Sequence, residues 1–144
     1  MTAQRSTKEE FDYAKYLKTE GGIDCPFCNM NPGHPQFVLE TDSLKVLRNR
    51  TPYSLWDSQG VVDHLMIVPK VHTAKLGDLD AKAAAELIAL IGTYEIDGYN
   101  IYARAVTSTT RSVVHQHTHL IKLDGKKRTF LFMLRKPWYF RISK

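Results

Sequence analysis

Apolar and polar positions follow two different periods along the chain, and the changes of period divide it into helices and strands. Apolar residues at roughly helical spacing predict a short helix over residues 8–18, with Thr7 and Glu10 as its capping box. The same spacing predicts a second helix that begins after an N-cap at Asp80 and ends before Gly98. Its apolar face consists of Ala84, Leu87, Ile88 and Ile91.

Strand patterns account for most of the remaining chain. The turn residues 41–43 separate two strand-like runs, and the nearly continuous apolar run 61–69 is typical of a strand buried on both faces. Further strands are predicted at 100–106, 113–123, 129–134 and 138–142, with a turn at Asp124-Gly125 and a break at Lys136-Pro137. The short connections predict an α+β fold: an antiparallel β-sheet of about five or more strands with packed helices and an extra C-terminal β-hairpin.

The length of 144 residues fits one domain. We expect a single domain over 1–144, made of an N-terminal helix at 1–20, a cysteine loop at 21–35, a core at 36–123 and a C-terminal hairpin at 124–144. No apolar run approaches the length of a membrane span, and the first residues contain no apolar signal core. A cytoplasmic protein with no membrane partner is therefore expected.

Positive charge is concentrated at the C-terminal end. Eight of the 20 Lys and Arg residues lie from residue 122 onward, where Asp124 is the one acid. Aromatic residues lie among these charges, so the tail could bind nucleic acid. A solvated edge hairpin whose other face joins the core explains the same pattern. The aromatic residues are Phe130, Phe132, Trp138, Tyr139 and Phe140.

Both cysteines lie in one short run, Cys25-Pro26-Phe27-Cys28, which indicates a redox pair or half of a metal site. A redox pair of the thioredoxin type is expected to open a helix after a strand. Here Gly21-Gly22 precede the pair and a Pro- and Gly-containing stretch follows it, so the setting is a loop. This setting favours a zinc knuckle.

Three of the six histidines recur at every second position, as His115, His117 and His119. Because alternate residues of a strand share a face, the predicted strand 113–123 places the three imidazoles on one ridge at about 6.6 Å spacing. Such a ridge could hold an open metal site, or it could provide a nucleophile and proton-transfer groups. A closed Cys₂His₂ site would use two histidines and leave the others for chemistry.

The motif His115-x-His117-x-His119, followed by two apolar residues, resembles the signature of the histidine triad (HIT) superfamily. The segment 63–72, which includes His64 and ends at His72, is similar to a buried strand of that family, and the Cys25–Cys28 pair resembles that of its bacterial Hint-like members. The resemblance extends over roughly residues 25–121. It implies a HIT-like fold and an enzyme that binds nucleotides.

The resemblance also implies a role for each matching residue. It implies a structural zinc ion held by Cys25, Cys28, His72 and His115. His117 matches the nucleophile that attacks the α-phosphate of a nucleotide and forms a nucleotidyl-histidine intermediate. The remaining catalytic positions that the resemblance implies, around the phosphate, are His119, Ser112 and His64.

The chain departs from the Hint-like pattern in the segment before the triad, where 103–111 replaces a Gly- and Asn-rich stretch. Arg104 and Arg111 bring positive charge there, which suits a more anionic or longer phosphate chain. In the family an acidic residue holds the ribose hydroxyls. Asp57 matches this residue if the alignment allows a one-residue deletion. Trp56 beside it could stack on a base or pack in the core.

The leading hypothesis is a hydrolase or nucleotidyl transferase that acts on nucleoside phosphoramidates, dinucleoside polyphosphates or adenylylated compounds. The triad ends in a histidine, whereas the signature of the transferase branches ends in Gln. This difference favours water as the acceptor of the nucleotidyl group. The resemblance further implies a homodimer. The alternative hypothesis is a nucleic-acid-binding or end-processing module that uses the basic aromatic tail.

Overall fold

The computed structural model describes residues 5–19, 25–128, 131–135 and 139–143, with side chains for 5–15 and 25–128. Its helices are α1 (Thr7–Thr19), α2 (Pro26–Asn29) and α3 (Ala81–Ile96), together with a 3₁₀ turn at Leu76–Asp78. None of the helices in these ranges combines the length and apolar character that a membrane crossing requires. The strands are β1 (Phe37–Glu40), β2 (Leu44–Arg48), β3 (Leu55–Trp56), β4 (Gln59–Pro69), β5 (Tyr99–Ala103), β6 (Thr118–Lys127), β7 (Leu131–Arg135) and β8 (Tyr139–Ser143).

Six strands form one antiparallel sheet in the order β1-β2-β4-β6-β5, with β3 paired to β4 beside this path. The predicted α+β fold is confirmed. β7 and β8 form a separate antiparallel pair, so the predicted C-terminal hairpin is present. The predicted break at Lys136-Pro137 lies outside the described residues.

The central strand β4 is buried on both faces, as its continuous apolar run predicts. Leu65 and Ile67 pack on one face with β2, β6 and Leu87 of α3. Met66 and Val68 pack on the other face against α2 and its flanking residues. His64 shares this second face because it lies two residues before Met66. The face that carries α2 is therefore the one on which the histidines assemble.

Both long helices form where the periodicity predicts them. In α3, the Ala83 amide donates to Asp80 Oδ1 at 2.7 Å, and the chain turns at Gly98 with φ +84°. In α1, the Ser6 amide donates to Glu9 Oε2 at 2.8 Å and the Glu9 amide donates to Ser6 Oγ at 3.3 Å. The predicted capping box at Thr7 and Glu10 is thus wrong by one residue, since Thr7 is already helical.

The predicted strand 113–123 is wrong in its first half. Regular pairing begins only at Thr118, and residues 113–117 form an irregular segment. The Gln116 amide donates to the Thr73 carbonyl at 2.6 Å, outside any strand ladder. His115 and His117 are therefore not on a strand ridge with His119.

The predicted turn at Asp124-Gly125 is also wrong, because β6 continues through it to Lys127. The Asp124 carboxylate accepts hydrogen bonds from the Gly60 amide at 3.1 Å and from the Arg128 guanidinium at 2.7 Å. Gly125 has φ +71°, and the β4–β6 register shifts around Val61. The local turn signal instead forms an irregularity within a long strand.

Candidate active site and metal-ligand cluster

Two thiols and two imidazoles meet between α2, the end of β4 and the irregular segment 113–117. One ligand atom from each of Cys25, Cys28, His72 and His115 lies within 4.8 Å of the others. Nδ1 of His115 is 3.3 Å from Cys25 Sγ, and Nδ1 of His72 is 3.4 Å from Cys28 Sγ. These four residues lie close enough to hold a metal ion.

The proton on the His115 ring is assigned by a backbone contact. Nε2 lies 2.9 Å from the Pro69 carbonyl oxygen, which can only accept, so Nε2 carries the proton of the neutral ring. Nδ1 then presents its lone pair to the two cysteines. A metal-ligating histidine needs this arrangement, with one nitrogen anchored and the other free. Burial is the main reason that the pKa of His115 falls to about 4.

A buried lysine stabilises the cysteine loop from beneath. Lys45 on β2 is only 4% exposed, and its ammonium donates to the carbonyls at the end of α2. The acceptors are the carbonyl oxygens of Phe27, Cys28 and Met30 and the side-chain oxygen of Asn31, at 2.9 to 3.4 Å. These contacts satisfy carbonyls that a four-residue helix leaves without partners.

His117 is oriented by the backbone of the preceding ligand. Its Nδ1 lies 2.8 Å from the His115 carbonyl oxygen, so Nδ1 carries the proton and Nε2 has a free lone pair. The Phe27 ring packs edge-on against the imidazole at a centroid distance of 5.2 Å. Burial is the main cause that lowers the pKa of His117. The ring is neutral near pH 7, which a nucleophilic nitrogen requires.

Arg111 fastens the irregular segment that carries His117. Its guanidinium donates to three backbone carbonyls, those of Ala74, Val113 and Val114. The segment is not part of a strand ladder, and its Gln116 amide donates to the Thr73 carbonyl in the loop after β4. Arg111 therefore positions the histidine segment.

His64 and His119 form a directed hydrogen-bond chain. The Tyr53 amide donates to His64 Nδ1 at 3.2 Å, so the neutral His64 ring carries its proton on Nε2. That atom lies 2.9 Å from His119 Nδ1, which accepts. The proton of His119 is then on Nε2, which is buried and has no partner among the described residues.

Burial keeps both rings of this chain neutral. The pKa of His64 falls to about 3 and that of His119 to about 2, with burial as the largest cause in each case. Neighbouring positive charge adds to the effect: Arg5 lowers the pKa of both rings. His119 can therefore offer a neutral N–H donor to an anion.

A pocket opens beside His117 and His119. Ser112 and Arg104 are among its lining residues. The additional lining residues include Arg5, Tyr13, Gln36, Asn49, Arg50, Thr51, Tyr53 and Thr110. The polar run after β2 at 49–51 was a signal in the sequence for part of this set, but nothing local indicated Arg5 or Tyr13.

Two of the predicted nucleotide-binding residues lie outside this lining. Asp57 is exposed at the turn between β3 and β4, where Asp57 and Ser58 have φ of 47° and 62°. Arg111 contacts backbone carbonyls instead of the pocket. Trp56 packs 4.8 Å from Tyr102, centroid to centroid, as part of an aromatic cluster. His64 lies behind His119, which it contacts.

No family model matches the chain. It is similar to two proteins named adenosine 5'-monophosphoramidase HNT1. The Candida albicans protein is 27% identical over 110 residues, which cover 67% of this chain and 68% of the relative. The Saccharomyces cerevisiae protein is 30% identical over 110 residues, covering 72% and 65%. The match spans about two thirds of the length of each relative.

A solved structure gives the same result. The crystal structure of a HIT family hydrolase from Legionella pneumophila is 25% identical, with a TM-score of 0.51, and the match covers 74% of this chain and 96% of that one. The antiparallel sheet and the pocket lined by His117 and His119 define an α+β protein with histidines at its candidate active site. The chain belongs to the histidine triad (HIT) superfamily.

Proposed function

We propose that this protein is a nucleotide phosphohydrolase that acts at the α-phosphate through His117. One observation carries the proposal: the His115 carbonyl holds the Nδ1 proton of His117, so the lone pair of Nε2 is available at the pocket. The names of the two relatives, which are monophosphoramidases, support it. The substrates are nucleoside phosphoramidates, dinucleoside polyphosphates or adenylylated compounds.

The proposed reaction has two displacements. In the first, the Nε2–P bond forms and the bond from phosphorus to the leaving group breaks, with its electron pair moving to the leaving group. An amine leaving group also takes up a proton from solvent as it departs. The His115 carbonyl accepts from Nδ1–H and stabilises the positive charge that the ring gains. In the second, water attacks phosphorus, loses a proton to solvent and releases the nucleoside monophosphate, while the electron pair of the N–P bond returns to Nε2.

Charge also develops on the oxygens of the α-phosphate. His119 Nε2–H is a buried donor without a partner among the described residues, and it borders the same pocket. We assign it to a phosphate oxygen, with Ser112 as a second donor. His64 acts through His119, since its Nε2 proton fixes which nitrogen of His119 donates.

The metal in this proposal is zinc, in the manner of the Hint-like branch. Two thiolates and two imidazoles are a donor set that zinc prefers, and four ligands close a tetrahedral site. Bound zinc would link α2, the end of β4 and the histidine segment. It would stabilise the fold and position His115, and thereby the carbonyl that orients His117.

The test is to trap the intermediate. Wild-type protein is mixed with adenosine 5'-phosphoramidate, quenched in alkali because N–P bonds hydrolyse in acid, and analysed by peptide mass spectrometry. We expect an adenylyl adduct on His117 and none in His117→Ala, which loses turnover but keeps its fold. His34→Ala is the matched control, because His34 lies outside the pocket lining. Turnover by His117→Ala at the wild-type rate would refute the assignment.

The other expectations stay predictions. The homodimer is tested by the sedimentation mass. A nucleic-acid role of the tail is tested by oligonucleotide affinity before and after deletion of residues 125–144, because phosphate contacts give a steep salt dependence. The single-domain boundaries, the ribose contact of Asp57 and the cytoplasmic location are likewise predictions.

A further inference from the structure

The C-terminal hairpin has one face made only of apolar positions. In the register of β7 and β8, Phe132 is opposite Ile142 and Leu134 is opposite Phe140. Opposite residues of an antiparallel pair share a face, and so do residues two apart along one strand. These four positions therefore form one face, called the apolar face. The pairs on the other face, called the mixed face, are Leu131–Ser143, Met133–Arg141 and Arg135–Tyr139.

The hairpin is a sheet of its own. Among the described residues, β7 and β8 pair with each other and not with the six-stranded sheet. Two strands alone are marginally stable in water, and they gain stability when an apolar face is covered by something else. The apolar face is therefore a candidate surface for a partner.

The charge around the hairpin favours an anionic partner. From residue 122 onward the sequence has eight basic residues and one acid, Asp124. Asp124 forms an ion pair with Arg128 at 2.7 Å, so this part of the sequence has no further acid to balance the other seven basic residues. Two such tails repel each other, which disfavours a second copy of the hairpin as the partner. Nucleic acid and an anionic bilayer surface both match this charge.

The register separates the phenylalanines from the arginines. Phe132 and Phe140 are on the apolar face together with two aliphatic residues, whereas Arg135 and Arg141 are on the mixed face. A single-stranded nucleic acid is bound by aromatic and basic residues on one shared surface, because its bases stack while its phosphates are neutralised. An element that lies on a bilayer has apolar residues on one face and basic residues on the other. The hairpin follows the second pattern.

We infer that the β7–β8 hairpin binds the surface of an anionic phospholipid bilayer through its apolar face. In this arrangement the apolar face enters the headgroup layer, where the burial of apolar area drives association. The basic residues of the tail are attracted to the anionic headgroups. This role is separate from the histidine-lined pocket and goes beyond the proposed function.

Binding of this kind needs no membrane-spanning segment. A hairpin at the depth of the headgroups keeps its two outer edges in contact with water, so the backbone groups there stay hydrogen-bonded. The sequence-based expectation of no membrane partner rests on the lack of an apolar span and of a signal core. The inference departs from that expectation, because a peripheral element requires neither feature.

Flotation with lipid vesicles tests the inference on the full chain. The protein is mixed with phosphatidylcholine vesicles that contain either no anionic lipid or about 30% phosphatidylglycerol, in about 0.1 M salt. We expect binding to the anionic vesicles only. Binding should weaken at least about tenfold in about 0.5 M salt, because salt screens the attraction. Wild type that does not bind the anionic vesicles, or that binds both kinds equally, overturns the inference.

Two double variants separate the two faces of the hairpin. Phe132→Ser with Phe140→Ser removes one large apolar residue of the apolar face from each strand, and we expect binding at least about tenfold weaker. Met133→Ser with Tyr139→Ser is the matched control, because it makes the same kind of change on the mixed face without altering the charge. We expect a change below about threefold for this control. Equal losses in the two variants overturn the inference.

A third double variant tests the charge and leaves the apolar face intact. Arg135→Gln with Arg141→Gln should weaken binding to the anionic vesicles at least about tenfold, since each basic residue near such a surface adds to the attraction. Circular dichroism verifies that every variant is folded. Unchanged binding in this variant would contradict the role of charge and overturn the inference.

The other possible partners of the apolar face give different results in the same proteins. If the chain's own sheet covers this face, Phe132→Ser with Phe140→Ser lowers Tm by more than about 5 °C. If a second copy covers it, the same variant has a lower sedimentation mass than wild type. If nucleic acid covers it, wild type binds a single-stranded oligonucleotide more tightly than the anionic vesicles, and this variant loses that binding. Each of these three results overturns the inference, and none of them depends on turnover at His117.

Discussion

The backbone carbonyl of His115 accepts the Nδ1 proton of His117 at 2.8 Å, while the His115 side chain presents Nδ1 to the cysteine pair. One residue therefore belongs to the metal-ligand cluster through its side chain and orients the proposed nucleophile through its backbone. The candidate metal site and the orientation of the proposed nucleophile are therefore coupled, because His115 and His117 are only two residues apart. Any change that displaces His115 is expected to move His117 as well.

Removal of the proposed zinc ion should therefore reduce both stability and turnover. We expect about one zinc ion per chain in the purified protein. Dialysis against a chelator should lower Tm by more than about 5 °C, because the binding free energy of a structural metal is also folding free energy. Turnover should fall at least about tenfold, as it does when the support of a site is lost. Elemental analysis and activity are measured on the same sample. Full activity in a metal-free protein would contradict the coupling.

Lys45→Met should weaken the cysteine loop, since methionine fills a similar volume without donating to the carbonyls of α2. We expect a loss of about 1–3 kcal/mol in the free energy of unfolding and about tenfold weaker zinc binding. Lys70→Met is the control, because Lys70 forms a surface ion pair with Glu40 at 3.1 Å, worth at most about 1 kcal/mol. Urea denaturation and competition with a zinc indicator measure the two effects. Equal results for both variants would exclude the role of Lys45.

Stability should fall as the pH decreases below about 6.5. The folded pKa values of His64 and His119, about 3 and about 2, lie below the unfolded value near 6.5. Above pH 6.5 neither state is protonated and stability is at its full value. Between pH 6.5 and about 3 the unfolded chain binds protons that the folded protein does not bind, so unfolding becomes easier.

At pH 5 the loss relative to pH 7 should be roughly 2 kcal/mol for each ring. Urea denaturation across this range measures it. His64→Gln should have a shallower slope than wild type, whereas His34→Gln should keep the wild-type slope. An unchanged slope in His64→Gln would show that the pKa of His64 is not lowered in the folded protein.

The cap of α3 gives a prediction that is independent of the site. Asp80→Ala removes the acceptor of the Ala83 amide and should cost about 1 kcal/mol of unfolding free energy. Asp97→Ala, at the other end of α3, should be neutral or slightly stabilising, because a carboxylate there opposes the helix dipole. Thermal and urea denaturation of the two variants provide the comparison. A larger loss in Asp97→Ala would contradict this account of the helix ends.

Much of the fold could be predicted from local patterns. The apolar run of β4, the turn before β2 and the cap at Asp80 each act through neighbours in sequence or through burial of a periodic face, so their signals are visible in the chain. The capping box of α1 lies one residue before the predicted position, because Ser6 and Glu9 also form hydrogen bonds with Ser54. Ser54 is 45 or more residues away from both in sequence.

Each error concerns a residue or segment with at least one hydrogen-bond partner that is distant in sequence. Asp124-Gly125 has the composition of a turn, yet the Gly60 amide and Arg128 occupy the carboxylate and the strand continues. The segment 113–117 alternates like a strand, yet the Thr73 carbonyl and the Arg111 side chain hold its backbone away from the ladder. Local composition contains no information about the Gly60 amide or the Thr73 carbonyl.

The sequence by itself determined the α+β class and the types of side chain available to a metal ion, because periodicity and residue identity are properties of the chain alone. The choice of His117 as the proposed nucleophile came from the family resemblance and stays a prediction. The tertiary structure alone decided how the histidines face one another and which charges border the pocket. His117 is set by a backbone carbonyl, and Arg5 reaches the site only through the packing of α1. Both depend on contacts between segments far apart in the chain, and such contacts exist only once the sheet has formed.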